Sequence, residues 1–208
     1  MNTSIMIVDD SPYIIDGLAT LLRRRGYEPV IARDGDECLR LLASSVPDLI
    51  MLDIMMEPKD GWETLEEIRS NPVTRNIPVL MFSAKRITPS EAAEHSLGID
   101  DFIVKPINPV QLLGAIEHAF ARRSELEREV RCAREAGLDD KTVEEYTRLL
   151  RSTGVDTRML DVIRVSSGMD IPGKVVPEAD RRAISCLEEK IGADKARLNE
   201  ISAQITRK

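Results

Sequence analysis

Short apolar runs that each give out on a polar residue constrain the fold of this chain more than any other feature. The runs at 4–8, 48–52, 77–82 and 100–104 are short and largely apolar, as strands buried on both faces of a parallel sheet are. They lead into Asp9 and Asp10, Asp53, Ser83, and Lys105 with Pro106. Helical periodicity marks 11–25, 35–44, 61–70 and 88–97, a further helix opens at Asn108 and Pro109, and 27–32 supplies one more strand. Strands alternating with helices predict an α/β fold: a doubly wound, five-stranded parallel sheet with right-handed crossovers. Ligands of open α/β sheets sit beyond the carboxyl ends of the strands, so the four polar endings converge on one crevice if the strands lie side by side.

Residue type then sets the chemistry. A carboxylate can take a phosphoryl group as a covalent nucleophile, but the two repel until a cation bridges them, and a hard cation such as Mg²⁺ wants oxygen ligands. Asp9, Asp10 and Asp53 supply such oxygens. Phosphoryl transfer is mostly positioning and charge neutralisation, so an ammonium and a hydroxyl donor complete the set, and Lys105 and Ser83 fit. Taken singly, each of these residues has a plainer reading: an aspartate at a strand end is most often a turn former or helix N-cap, and Phe102 would be core. Asp60-Gly61 is read as a turn signal that fixes register. His95 and His118 lack acidic or cysteine partners at metal spacing and read as solvated helix residues.

Taken in order, the acidic pair Asp9-Asp10, Asp53, Asp60-Gly61, Ser83 and Lys105-Pro106 resemble the receiver domain of two-component response regulators, the CheY-like family, whose fold is flavodoxin-like. The resemblance implies that Asp53 is the phosphoacceptor and that Mg²⁺ is held by Asp10, Asp53 and the backbone carbonyl of Met55, with Asp9 in support. It further implies that Lys105 pairs with the phosphoryl oxygens and that Ser83 hydrogen-bonds the arriving group. Phe102, three before the lysine, takes the aromatic switch position, Lys105-Pro106 is cis, and Met55 and Lys85 tune the lifetime of the phosphorylated form. On activation the chain after Phe82 moves inward, altering the face made by 88–97, the fifth strand and the helix from Asn108. One departure is visible: where the family often writes Met-Pro-Gly-Met-Asp-Gly, residues 56–61 read Met-Glu-Pro-Lys-Asp-Gly, which shifts the proline by one. A rival family with an aspartyl nucleophile, the haloacid-dehalogenase phosphohydrolases, places a second aspartate two residues on as general acid. Met55 stands there instead.

With 208 residues the chain exceeds one receiver and predicts a second, smaller unit. A composition of 42% hydrophobic and 31% charged residues argues for a globular rather than a disordered chain. No apolar stretch is long enough to span a bilayer and no basic leader precedes the first strand, so cytoplasmic residence without a membrane partner is expected. Cys38, Cys132 and Cys186 are widely spaced and read as free thiols. Residues 1–121 carry 11 Lys and Arg against 19 Asp and Glu, a balance that repels nucleic acid, whereas 122–208 carry 18 against 17.

The expected division is a receiver over 1–121, a helical extension or linker over 122–137, and an all-α output or dimerisation region over 138–208. From Pro109 no proline interrupts the helix before Gly137, so it is expected to run past the domain edge, with Ile116, Ala119, Leu126, Val130 and Ala133 in heptad spacing around Arg123. Segments 141–151 and 156–165 read as two short helices joined by 152–155, a plain hairpin in preference to a helix-turn-helix. Arg158 and Arg164 are balanced there by Asp156 and Asp161, a poor set for reading base edges. Beyond Pro177, Ile184, Leu187, Ile191, Leu198, Ile201 and Ile205 keep a seven-residue repeat with Asp194 as its polar seam position. No nucleophile, metal cluster or phosphate loop in this half supports a separate enzyme. The expected partners are a sensor histidine kinase, a second copy of the chain on phosphorylation, and a protein that receives the C-terminal signal. DNA is the alternative for that last role.

Overall fold

The computed structural model describes residues 3–84, 99–167 and 176–206. Among these, the chain forms two compact units, 3–84 with 99–120 and 121–167 with 176–206.

The first unit is a five-stranded parallel sheet of β1 (Ser4–Val8), β2 (Glu28–Ala32), β3 (Leu49–Asp53), β4 (Val79–Ser83) and β5 (Asp101–Val104) in the order β2-β1-β3-β4-β5. This is the flavodoxin-like order, and its crossovers put helices on both faces. Every residue of β3 and β4 is buried, whereas edge strand β2 is exposed at Glu28 and tolerates Pro29, whose missing N–H would break a central ladder. Side chains alternate across the sheet. Ile5, Ile7, Leu49, Met51, Leu80 and Phe82 therefore line one face, covered by Leu18 and Leu22 of α1 (Pro12–Arg24) and by Leu112 and Ile116 of α4 (Pro109–Glu135). Met6 points the other way and meets Cys38 of α2 (Gly35–Leu42), its Sδ 3.6 Å from the thiol sulfur. The helix α3 (Gly61–Ser70) starts at a capping box in which Asp60 and Glu63 each accept from the other's backbone N–H. The expected helix at 88–97 and Lys85 lie outside the described residues.

The helix from Pro109 is continuous to Glu135, as the absence of breakers predicts. It ends where Gly137 adopts φ 72°, a left-handed conformation that lets Leu138 N–H reach the Ala133 carbonyl at 3.2 Å and Gly137 N–H reach Arg134 at 2.9 Å. Four of its five heptad residues pack within one unit or the other. Ile116 and Ala119 are buried in the sheet unit, and Val130 and Ala133 belong to the core of the helical unit.

The helical unit corrects one expectation. Residues 152–155 are not a turn: α5 runs unbroken over Asp140–Ser167, so there is neither a hairpin nor a helix-turn-helix within it. The hydroxyls of Ser152 and Thr153 bond back to the Leu149 carbonyl at 3.3 and 2.8 Å, satisfying within the helix the polar groups that suggest a loop. Gly154 lies within the helix against the end of the Arg122 side chain, where a Cβ would stand 2.6 Å from a guanidinium nitrogen.

The seven-residue stripe of α6 (Glu178–Thr206) is used inside the unit: Ile201 is buried with Val143, Tyr146 and Leu149 of α5, and Leu198 and Ile205 pack at the margin. Polar links fix the pairing of α5 with α6. Arg197 grips Glu145 with two bonds of 2.9 Å, Lys190 reaches Asp156 at 2.7 Å, and Ser152 Oγ lies 3.5 Å from Asp194.

Candidate functional site

The strand endings meet as their order requires. Asp9 follows β1, Asp53 closes β3, Ser83 closes β4 and Lys105 follows β5, with Asp53 in register with Phe82 and Ser83 with Val104. Asp9 and Ser83 are fully buried, Asp53 is 2% exposed and Asp10 is exposed. Lys105 Nζ lies 2.9 Å from Asp9 Oδ2 and 2.7 Å from Asp53 Oδ2, joining the first, third and fifth strands through one ammonium. The Lys105 N–H donates to the Ser83 carbonyl at 2.8 Å, and the Lys105–Pro106 peptide is cis, as is Glu57–Pro58. Phe102 is half-buried on β5, and Met55 is exposed on the loop after β3 with its N–H 3.3 Å from Asp53 Oδ1.

Burial pushes the Asp53 carboxyl above its ordinary value and nearby Asp9 adds to that, with Lys105 and the Met55 N–H pulling the other way without prevailing. For Lys105 burial acts to lower the ammonium, but its bonds to Asp53 and Asp9 outweigh it and hold the group above its usual range. Asp9 also accepts from Ser11 N–H at 2.8 Å, so it both holds the turn into α1 and serves the cluster. One oxygen each from Asp9, Asp10 and Asp53 lie within 4.8 Å of one another, and an all-carboxylate set is the chemistry a hard divalent cation selects.

Two contributors escape a reading of the sequence alone. The Phe82 ring lies under Lys105, its centroid 4.9 Å from Nζ, so this core residue also faces the ammonium. Gly61 does more than turn the chain. A Cβ there would stand 2.1 Å from the Asp53 carbonyl oxygen and 2.7 Å from Ile54 Cα, and Gly61 N–H bonds the Ile54 carbonyl at 3.0 Å. The loop that follows Asp53 thus closes on backbone, which only glycine permits. The Asp-Gly pair was its one signal.

Residues 5–117 match the response regulator receiver domain family, and the chain belongs to it. Residues 122–208 match a family described as Metanogen output domain 2. The alkaline phosphatase synthesis transcriptional regulatory protein PhoP of Bacillus subtilis (strain 168) is 36% identical over 126 residues, 61% of this chain and 51% of that protein. Protein PilG of Pseudomonas aeruginosa is 35% identical over 113 residues, 54% of this chain and 84% of its own. Among solved structures, the response regulator TrrA of Thermotoga maritima in complex with Mg²⁺-BeF shares 29% identity at a TM-score of 0.51, covering 57% of this chain and 99% of that one. The match to PhoP spans only about half of that relative's length. Among the described residues no helix is long and apolar enough to cross a membrane.

Proposed function

We propose that this response regulator takes a phosphoryl group on Asp53 from a sensor histidine kinase and relays the change through its helical C-terminal half to a protein partner. The observation that carries the reading is the single ammonium of Lys105 bridging Asp9 and Asp53 in a buried crevice at the strand ends. In the transfer an Asp53 oxygen attacks phosphorus, the phosphorus–nitrogen bond of a phosphohistidine breaks with its electron pair on the imidazole, and an acyl phosphate results. Asp10, Asp53 and the Met55 carbonyl would hold Mg²⁺, with Asp9 in support, and the bound ion would supply charge neutralisation for the arriving phosphoryl group. Lys105 pairs with the phosphoryl oxygens, Ser83 donates to them, and Phe102, half-buried at rest, turns inward as the switch. The fit of the three carboxylates to a cation and the Mg²⁺-BeF complex of TrrA support this assignment.

For the output, a protein partner is favoured over DNA because α5 carries no helix-turn-helix, and because 122–208 match a separate output family while the match to PhoP covers about half of that regulator. Dimerisation on phosphorylation remains part of the proposal. Intact mass after incubation with acetyl phosphate and Mg²⁺ tests the acceptor: one phosphoryl group is expected on the wild type and none on Asp53→Ala. Absence of labelling at every Mg²⁺ concentration would remove Asp53 from its role.

A further inference from the structure

The loop between Asp53 and Gly61 carries a charged side chain that the phosphoacceptor chemistry leaves unused. Lys59 Nζ lies 3.0 Å from Asp36 in the first turn of α2 and also donates to Glu67 on α3, with its side chain 22% exposed. Its Cγ and Cδ lie 3.3 and 3.2 Å from where a Cβ on Gly35 would stand, so the stem covers the start of α2 while the head is shared by carboxylates of two helices. The rest of the loop is held by backbone and core: Gly61 N–H bonds Ile54, and Met56 is 5% exposed. A backbone carbonyl has no side-chain torsion by which to find its ion. Its position follows the path of the loop alone, and groups that fix such a path govern affinity.

We infer that Lys59 is a positioning residue for the divalent-cation site, a strap that ties the 54–60 loop between α2 and α3 and so places the Met55 carbonyl and Asp53. The inference rests on the reading of those two groups as cation ligands. It has a consequence whose sign separates it from simple electrostatics. Lys59 and the ion are both positive, so deleting the lysine charge alone tightens cation binding, whereas loosening the loop weakens it.

The test is calorimetric titration of the full chain with Mg²⁺, comparing wild type, Lys59→Met and Lys59→Arg. Lys59→Met is expected to bind about 10-fold more weakly, at the low end for groups that orient a metal ligand, and Lys59→Arg to recover most of the affinity. Lys59→Leu, likewise unable to donate to either carboxylate, repeats the comparison if the methionine variant does not fold. Unchanged or tighter binding in the neutral variants overturns the strap. Failure of the wild type to bind Mg²⁺ overturns instead the cation reading beneath it.

Discussion

Lys105 donates to Asp53 Oδ2 across 2.7 Å although the two residues lie at the ends of strands that are not neighbours, with β4 between them. The same ammonium also serves Asp9, so two buried carboxylates share one cation. Burial raises the Asp53 carboxyl in the folded state, so its ionisation there costs stability. Below the ordinary carboxylate range Asp53 is protonated both folded and unfolded and costs nothing. As pH rises from the ordinary carboxylate value to the raised folded value the cost develops, and above it the cost is constant. Asp53→Asn is therefore expected to be more stable than wild type at neutral pH without Mg²⁺. The gain should vanish in acid. Thermal unfolding of both proteins across the acid range checks this, and a variant less stable at neutral pH would contradict it.

Gly61 offers a sharper steric prediction. A methyl group there meets the backbone of Asp53 and Ile54, which cannot swing aside as a side-chain end can. Gly61→Ala is expected to destabilise by about 1–3 kcal/mol, the range for overpacking. Because the displaced atoms belong to Asp53, the proposed acceptor, labelling by acetyl phosphate should also slow. Urea unfolding together with a labelling time course reads both, and a fully active variant of unchanged stability would refute the close approach.

In the helical unit Asp156 is fully buried, with Oδ2 on Lys190 at 2.7 Å and Oδ1 without a partner. Removing the lysine strands a buried charge. Lys190 is itself one-third exposed, so Lys190→Met is expected to cost about 2–3 kcal/mol, less than the ~3–5 of a fully buried pair. Adding Asp156→Leu should recover most of the loss, since neither charge then remains. Denaturant unfolding of the single and double variants measures the coupling, and equal instability of the two would show that the ion pair is not the cause.

The three thiols differ in ways that alkylation can read. Burial, with help from Asp34, pushes the Cys38 thiol up to about 12, while Cys132 and Cys186 are exposed. The thiolate is the nucleophile. Iodoacetamide near pH 8 should therefore add two groups quickly, and the third only in denaturant, as followed by intact mass.

Much of the sheet unit was legible because a parallel strand buried on both faces must read as an unbroken apolar run. The residues ending those runs then had one place to meet, and Asp9, Asp10, Asp53 and Lys105 do meet there. What stayed hidden were contacts whose partners are distant in sequence and unremarkable in type. Nothing local says that Lys59 will find Asp36 and Glu67, or that the Phe82 ring will lie beneath Lys105. In the helical unit the hydrophobic stripe of α5 is continued through Ser152, Thr153 and Asp156, all buried. Hydropathy scores these as a break, although their burial keeps the helical period from Leu149 to Leu160.

The continuity of α5 can itself be tested at Gly154, where a turn and a helix predict opposite results. In a turn that needs a left-handed residue, alanine is strained and destabilising. Within a helix, alanine is favoured over glycine by about 1 kcal/mol. The atom that a new Cβ would meet is the guanidinium end of Arg122, 2.6 Å away, a group at the tip of a flexible side chain. That group also donates to the Arg151 carbonyl at 3.3 Å, so moving it sacrifices part of the propensity gain. Gly154→Ala is accordingly expected to fall within about 1 kcal/mol of wild type, in contrast to Gly61→Ala. Gly154→Pro, which removes a helical N–H and clashes with the preceding turn, should cost ~3 kcal/mol or more. Urea unfolding of the two variants decides the matter: alanine tolerated and proline disruptive is the signature of an uninterrupted helix, and the reverse order would restore a turn at 152–155.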